Sequence, residues 1–177
     1  MALIVEDGTG LSNAESFNSL AEIVTYAGKF GLTWPGSANT AAQEAAARQA
    51  TIYLEAVYGG QITGSRVSST QALSWPRNYA EDSELEPRGY PDTYYFPSNV
   101  VPVRWKEAHA ELSVKALTED LMPDVSNPGS LRAKAISVGP ISKSVTYAGA
   151  NSPVKWYRKV DLMVTRFLED GAVLKRA

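Results

Sequence analysis

The chain has 177 residues, of which 44% are hydrophobic and 20% are charged, a composition typical of a globular protein. It contains no cysteine and one histidine, His109, which excludes disulfide scaffolds, iron–sulfur clusters, multi-histidine metal sites and cysteine nucleophiles. The 17 basic and 19 acidic residues give a formal charge of −2, without the basic excess usual in freestanding nucleic-acid-binding proteins.

Four helices are predicted from capping signals and apolar periodicity. Ser19 and Glu22 have the spacing of a capping box ahead of apolar residues at helical intervals. Thr40 and Gln43 repeat that spacing ahead of an alanine-rich run, and alanine is the best helix former. Pro102 suits the first turn of a third helix. The predicted helices are 19–30, 41–58, 102–121 and 154–168.

A β-hairpin and a long loop are predicted between these helices. Apolar and polar residues alternate over 133–147, with Gly139-Pro140 as the turn, which is typical of a hairpin. The segment 61–101 shows no periodicity and is rich in proline, tyrosine and acidic residues. A connection of that length is either functional or partly disordered, and its aromatic residues favour partial order against a surface.

Together these elements predict a mainly α fold, a small helical bundle with a protruding β-hairpin and long loop or arm segments. We expect one domain over 1–177, with its helical core at about 12–60 and 100–168. A C-terminal tail is predicted over 169–177. The residues expected to be buried in the bundle are Leu54, Leu112 and Val164.

We expect no catalytic residue, cofactor or metal. His109 and Glu111 lie two positions apart on a predicted helix and therefore face apart, and the chain has no second histidine. We expect His109 at the helix surface or in an interface, and the carboxylates of 81–84 as solvated charge. The N-terminus lacks the basic region of a signal peptide, and no apolar run is long enough to span a membrane.

Single-stranded-DNA binding is an alternative, because two runs combine aromatic and basic residues. These runs are Trp75-Pro76-Arg77-Asn78-Tyr79 and Trp156-Tyr157-Arg158-Lys159. Stacking on an aromatic ring together with a phosphate contact is how single strands are bound, so Trp75 and Arg77 are candidate nucleic-acid contacts. The other interpretation of both runs is that the tryptophans anchor the core, and at this stage we favour it.

The chain as a whole resembles the head–tail adaptor (connector, or head-completion) family of tailed bacteriophages. The resemblance rests on the stretches 2–11, 46–54, 71–77, 102–117 and 138–142, in this order. Its specificity comes from the combination of the N-terminal segment, Leu-Ser-Trp-Pro-Arg at 73–77 and Val-Gly-Pro at 138–140. Some proteins of this family are described as single-stranded-DNA-binding proteins resembling a primosomal factor. The acidic, tyrosine-rich insertion after Arg77 departs from the family pattern.

The resemblance implies a structural virion protein that forms a dodecameric ring between the portal and the tail and lines the DNA ejection channel. Its partners would be the portal protein, a tail or tail-completion protein, other copies of itself and DNA that passes without specific binding, with no membrane. It would reside in the virion neck, and in the host cytoplasm before assembly. The alternative is a single-stranded-DNA-binding replication accessory protein, and an enzyme ranks third.

An adaptor needs segments that reach its neighbours, and the long loop, the hairpin and the tail are the candidates. Aromatic residues in a long connection are expected to order against a partner surface. The candidate assembly and portal contacts are Tyr90, Tyr94, Tyr95, Phe96, Gly139, Pro140, Leu174, Lys175 and Arg176.

Overall fold

The computed structural model describes residues 2–36, 39–82, 95–123, 133–138, 141–146 and 155–168. Its helices are α1 (Leu20–Lys29), α2 (Thr40–Val57), α3 (Val103–Ala116) and α4 (Arg158–Val164), and its strands are β1 (Ser65–Arg66), β2 (Arg77–Asn78), β3 (Ala133–Val138) and β4 (Ile141–Thr146). Short 3-10 turns follow α2 and α4 at Gly59–Gln61 and Thr165–Phe167. The predicted mainly α fold with one small hairpin is confirmed.

The chain divides into two compact units. One comprises Met1–Leu121 with Tyr157–Val173, and the other comprises Met122–Trp156 with Leu174–Ala177. Within the second unit β3 pairs with β4 in antiparallel register, with Val138 opposite Ile141. The predicted hairpin is therefore present, and its predicted turn, Gly139-Pro140, lies outside the described residues.

Capping explains where α1 begins but not where α2 begins. The Ser19 hydroxyl accepts a hydrogen bond from the Glu22 backbone N–H, and the Glu22 carboxylate accepts one from the Ser19 backbone N–H, which is the predicted capping box. The second predicted box is wrong, because Thr40 is the first residue of α2 and not its N-cap. The Gln43 amide instead donates to the backbone carbonyl of Pro35 at 2.6 Å, which holds the incoming chain.

The central helix of the first unit is α3, which contacts α1, α2 and α4. Leu54, Leu112 and Val164 are completely buried, as predicted. Both later helices are shorter than expected: α3 ends at Ala116 and α4 begins at Arg158. Leu121 is nevertheless buried beyond the end of α3. The apolar periodicity therefore extends past the helix, because the chain after α3 still packs against the core.

Residues 61–82, the first part of the predicted loop over 61–101, are largely irregular but pack into the core. Residues 65–66 and 77–78 pair as β1 and β2, and the chain between them places Trp75 in the interior; the Trp75–Pro76 peptide bond is cis. Edge-to-face contacts, and one tilted contact between Phe96 and Phe167, join the rings of the aromatic cluster, with centroids 5.2–6.2 Å apart. Such contacts stabilise aromatic pairs beyond the burial of their area. The members of the cluster are Phe17, Trp75, Phe96, Trp105 and Phe167.

The N-terminal segment is organised around a buried carboxylate. Glu6 accepts hydrogen bonds from the backbone N–H groups of Gly8, Gly10 and Leu11 at 2.9–3.0 Å. Gly8 has a φ of +98°, and a Cβ at this position would overlap the Asn99 carbonyl oxygen. The Glu-Asp-Gly-Thr-Gly stretch is therefore explained by local folding.

His109 lies in the core, which corrects the expectation of a surface or interface position. Its ring is completely buried between the N-terminal segment, α2 and α3. The Asn18 amide donates to Nδ1 at 3.2 Å, so Nε2 carries the proton and donates to the Ala47 carbonyl at 3.0 Å. Burial lowers the pKa of His109 to about 4, so the ring is neutral at physiological pH.

Candidate nucleic-acid interface

The two predicted nucleic-acid contacts are both in the interior of the first unit. Trp75 is fully buried in the aromatic cluster, and Arg77 is 8% exposed. The Arg77 guanidinium donates to the carbonyls of Ile62, Thr63 and Gly64 at 2.7–3.0 Å. Neither side chain presents a surface to a nucleic acid, because the Trp75 ring is enclosed and the Arg77 guanidinium donates to backbone carbonyls.

The candidate assembly contacts are only partly within the described residues. Tyr95 and Phe96 are half-buried, and Phe96 packs against Trp75 and Phe167 at the edge of the core. The second aromatic–basic run is divided between the units: Trp156 is 42% exposed in one, and Tyr157 is buried in the other. The candidates outside the described residues are Tyr90, Tyr94, Gly139, Pro140, Leu174, Lys175 and Arg176.

An exposed aromatic ring flanked by lysines lies at the C-terminal end of α1. Phe30 is 46% exposed, and the Nζ atoms of Lys29 and Lys159 lie 5.5 and 5.2 Å from its ring centroid. Both distances are in the range of cation–π attraction. We call Lys29, Phe30 and Lys159 the Phe30 surface.

A buried carboxylate supports the Phe30 surface from below. Glu111 on α3 accepts hydrogen bonds at Oε2 from Lys159 Nζ at 2.6 Å and from the Tyr26 hydroxyl at 3.0 Å. The Tyr26 ring packs against Phe30 at a tilt of 46°, with centroids 4.7 Å apart. Burial, with the Glu111 charge beside it, raises the pKa of Tyr26, so its hydroxyl remains a donor to Glu111. The Phe30 ring and the Lys159 ammonium are thus held in place before any ligand binds.

This arrangement can stack a base and contact a phosphate. Phe30 itself is about half exposed, and every nucleobase has a π-face that can stack on an aromatic ring. Lys29 makes no ion pair with any residue in the described ranges, and Lys159 has two further N–H donors besides the one that Glu111 accepts. Arg158, the residue before Lys159, is also exposed.

Sequence reasoning did not find the Phe30 surface. The sequence places Lys29 and Phe30 only at the end of the first predicted helix, and Lys159 only in the aromatic–basic run that begins at Trp156. The available signal was a basic residue next to an aromatic one at a helix end, but only the packing of both α1 and α4 against α3 brings Lys159 to that ring. No local pattern encodes that contact.

Other kinds of site find no support in the described ranges. No group of three or more His, Asp or Glu side chains there could hold a metal ion. The helices in the described part of the chain all fall short of the length and apolar character that crossing a membrane requires. The fold and the Phe30 surface together define a small helical protein with an aromatic–basic surface.

The chain belongs to the family described as "Putative DnaT-like ssDNA binding protein", whose model matches residues 1–177. Searches of curated proteins and of solved structures gave no significant match.

This family assignment contradicts the resemblance to phage head–tail adaptors. The connector, head-completion, portal-binding and ejection-channel roles inferred from that resemblance lose their basis with it. Two of the stretches that carried it serve the fold. Trp75 and Arg77 in Leu-Ser-Trp-Pro-Arg are buried, and the Glu6 carboxylate organises the N-terminal loop. Such stretches therefore report a shared fold and carry no information about a ring or a portal.

Proposed function

We propose that this protein binds single-stranded DNA as a replication accessory protein and that the Phe30 surface is one of its contacts. The observation that carries the proposal is the match of the whole chain to a family described as single-stranded-DNA-binding. The half-exposed Phe30 ring between two lysines supplies a physical site of the right kind. We propose further that the protein acts by binding alone, without chemistry.

The charge of the protein sets the character of this binding. Two lysines flank Phe30, and a single strand that pairs both would lose affinity with a logarithmic salt slope of about −1.4. The formal charge of −2 adds a weak repulsion of the strand at low ionic strength. Stacking on Phe30 then supplies a large share of the specificity for unpaired bases, since bases within a duplex already stack on one another.

Fluorescence anisotropy with a labelled oligothymidylate tests this proposal. We expect Phe30→Ala to weaken binding by about 5- to 150-fold, the effect of losing one stacked base at about 1–3 kcal/mol. Lys29→Gln is expected to reduce the salt slope by about 0.7, because one phosphate contact is removed. A duplex of the same sequence should compete poorly.

Matched controls are available elsewhere on the first unit. Ile52→Ala removes another exposed apolar side chain, on α2, and Lys106→Gln removes a lysine whose partner is Glu22 on α1. Both controls should bind as the wild type does. The proposed function is wrong if the wild type does not bind the oligonucleotide at low salt, and the Phe30 surface is wrong if Phe30→Ala and Ile52→Ala behave alike.

A further inference from the structure

Tyr79 combines high exposure with an unfavourable backbone conformation. The residue directly follows β2 and is 72% exposed. Its φ of 56° is in the left-handed region, and no other residue except glycine has a positive φ in the described ranges. A bulky L-residue in that region carries a conformational cost, so the surrounding structure must hold it there.

The neighbouring backbone supplies that support. Gly64 lies against the chain at 78–80, and a Cβ on it would overlap the Asn78 carbonyl oxygen and lie 2.7 Å from the Tyr79 carbonyl carbon. The buried Arg77 guanidinium donates to the backbone carbonyls of Ile62, Thr63 and Gly64, the last at 2.7 Å. The Glu81 backbone N–H donates to the Thr63 hydroxyl at 2.9 Å. Segment 62–64 therefore fixes the backbone on both sides of Tyr79.

A second tyrosine stands beside the first. The rings of Tyr79 and Tyr95 meet edge to face, with centroids 5.8 Å apart and an interplanar angle of 85°. The Tyr95 backbone is joined to the segment that follows Tyr79. Tyr95 forms an antiparallel β-bridge with Glu81, and the next residue, Phe96, donates its backbone N–H to the Ala80 carbonyl. The two rings form an aromatic pair on a backbone that is fixed by hydrogen bonds.

We propose that the Tyr79–Tyr95 pair is a second base-stacking contact for single-stranded nucleic acid. This proposal rests on the proposed function and adds a site that lies apart from the Phe30 surface. A phenol ring that is largely exposed and stands on a backbone fixed by hydrogen bonds offers a stacking face at low entropic cost. Glu81, exposed two residues from Tyr79, is acidic, so this surface attracts a base by stacking and does not attract a phosphate.

Tyr79→Gly is the decisive variant, because glycine adopts a positive φ without strain. The variant should keep the fold and unfold at the same or a higher temperature. Its affinity for the labelled oligothymidylate should fall by about 5- to 150-fold. The salt slope should stay at the wild-type value, because no cation is removed, in contrast to Lys29→Gln. Val103→Ala, which trims another side chain of about 70% exposure, is the matched control.

Tyr79→Phe keeps the ring and should bind as the wild type does, which separates stacking from hydrogen bonding by the hydroxyl. Photocrosslinking of an oligonucleotide containing 5-iodouracil, followed by peptide mapping, should place an adduct on Tyr79 or Tyr95. Wild-type binding with Tyr79→Gly at full affinity overturns the tyrosine pair and leaves the proposed function intact. Absence of binding by the wild type overturns both.

Discussion

The neutral core histidine makes the stability of this protein depend on pH. The His109 Nε2–H points at the Ala47 carbonyl, the Ser16 hydroxyl and the Thr51 hydroxyl, and each of these hydroxyls donates its own proton to a backbone carbonyl. Nδ1 accepts from the Asn18 amide. A second proton, on Nδ1, would meet a donor and lie in a site that water does not reach, so the charged ring is excluded.

The magnitude follows from linkage between protonation and folding. In the unfolded chain His109 takes up a proton as the pH falls through 6.5, whereas in the folded protein it does so only near pH 4. The unfolded state therefore binds more protons between these values, and the free energy of unfolding falls as the pH falls through this window. At about 1.4 kcal/mol for each pH unit, the loss reaches about 3 kcal/mol near pH 4, and His109 contributes no further loss below it.

Two measurements test this reasoning. Because His109 is the only histidine in the chain, a proton NMR titration shows one imidazole ring whose shift should remain that of the neutral form down to about pH 5. Urea unfolding at pH 7 and 5 should show a loss of stability in the wild type that is smaller in His109→Gln, whose amide can still donate and accept. An imidazole resonance that titrates near pH 6.5 in the folded protein would refute the buried neutral ring.

Two further predictions concern packing. Leu112→Ala removes a fully buried side chain from the central helix and should lower the free energy of unfolding in urea by about 2–5 kcal/mol, and a loss under about 0.5 kcal/mol would contradict its core position. Gly64→Ala should destabilise the protein by more than about 1 kcal/mol, since the residue has a positive φ and its Cβ overlaps backbone. Gly28→Ala is its control, because a Cβ at this position in α1 meets nothing within 4 Å. This variant should stabilise the protein, since alanine favours the helix. Equal losses of stability in the two variants would disprove the close-approach explanation.

Local signals predicted the parts of the fold that depend on local interactions. The Ser19–Glu22 box requires residues three apart, and the hairpin over 133–147 requires alternation in a short segment, and both are present. The apolar stripes that identified Leu112 and Val164 as core residues are also local. Helix ends were less accurate, because an apolar residue such as Leu121 is buried whether or not the backbone around it is helical.

Features decided by distant partners could not be predicted in the same way. His109 is buried because polar groups of residues 16–18 and of α2 satisfy both of its ring nitrogens. A lone histidine on a predicted helix gives no sign of such partners. The segment 61–82 was predicted to be a loop because it has no helical or long strand periodicity, yet its Trp75 completes the aromatic cluster.

The same dependence explains why an aromatic residue beside a basic one is an ambiguous sign of nucleic-acid binding. Trp75 and Arg77 are buried because the rings of Phe96, Trp105 and Phe167 pack against the indole and the carbonyls of 62–64 accept from the guanidinium. Phe30, next to Lys29, remains 46% exposed, and a single buried carboxylate, Glu111, brings a second lysine to its ring. What distinguishes a core anchor from a stacking surface is the supply of tertiary partners. Contacts to unpaired bases should therefore be sought at exposed rings whose backbone is held in place by tertiary contacts.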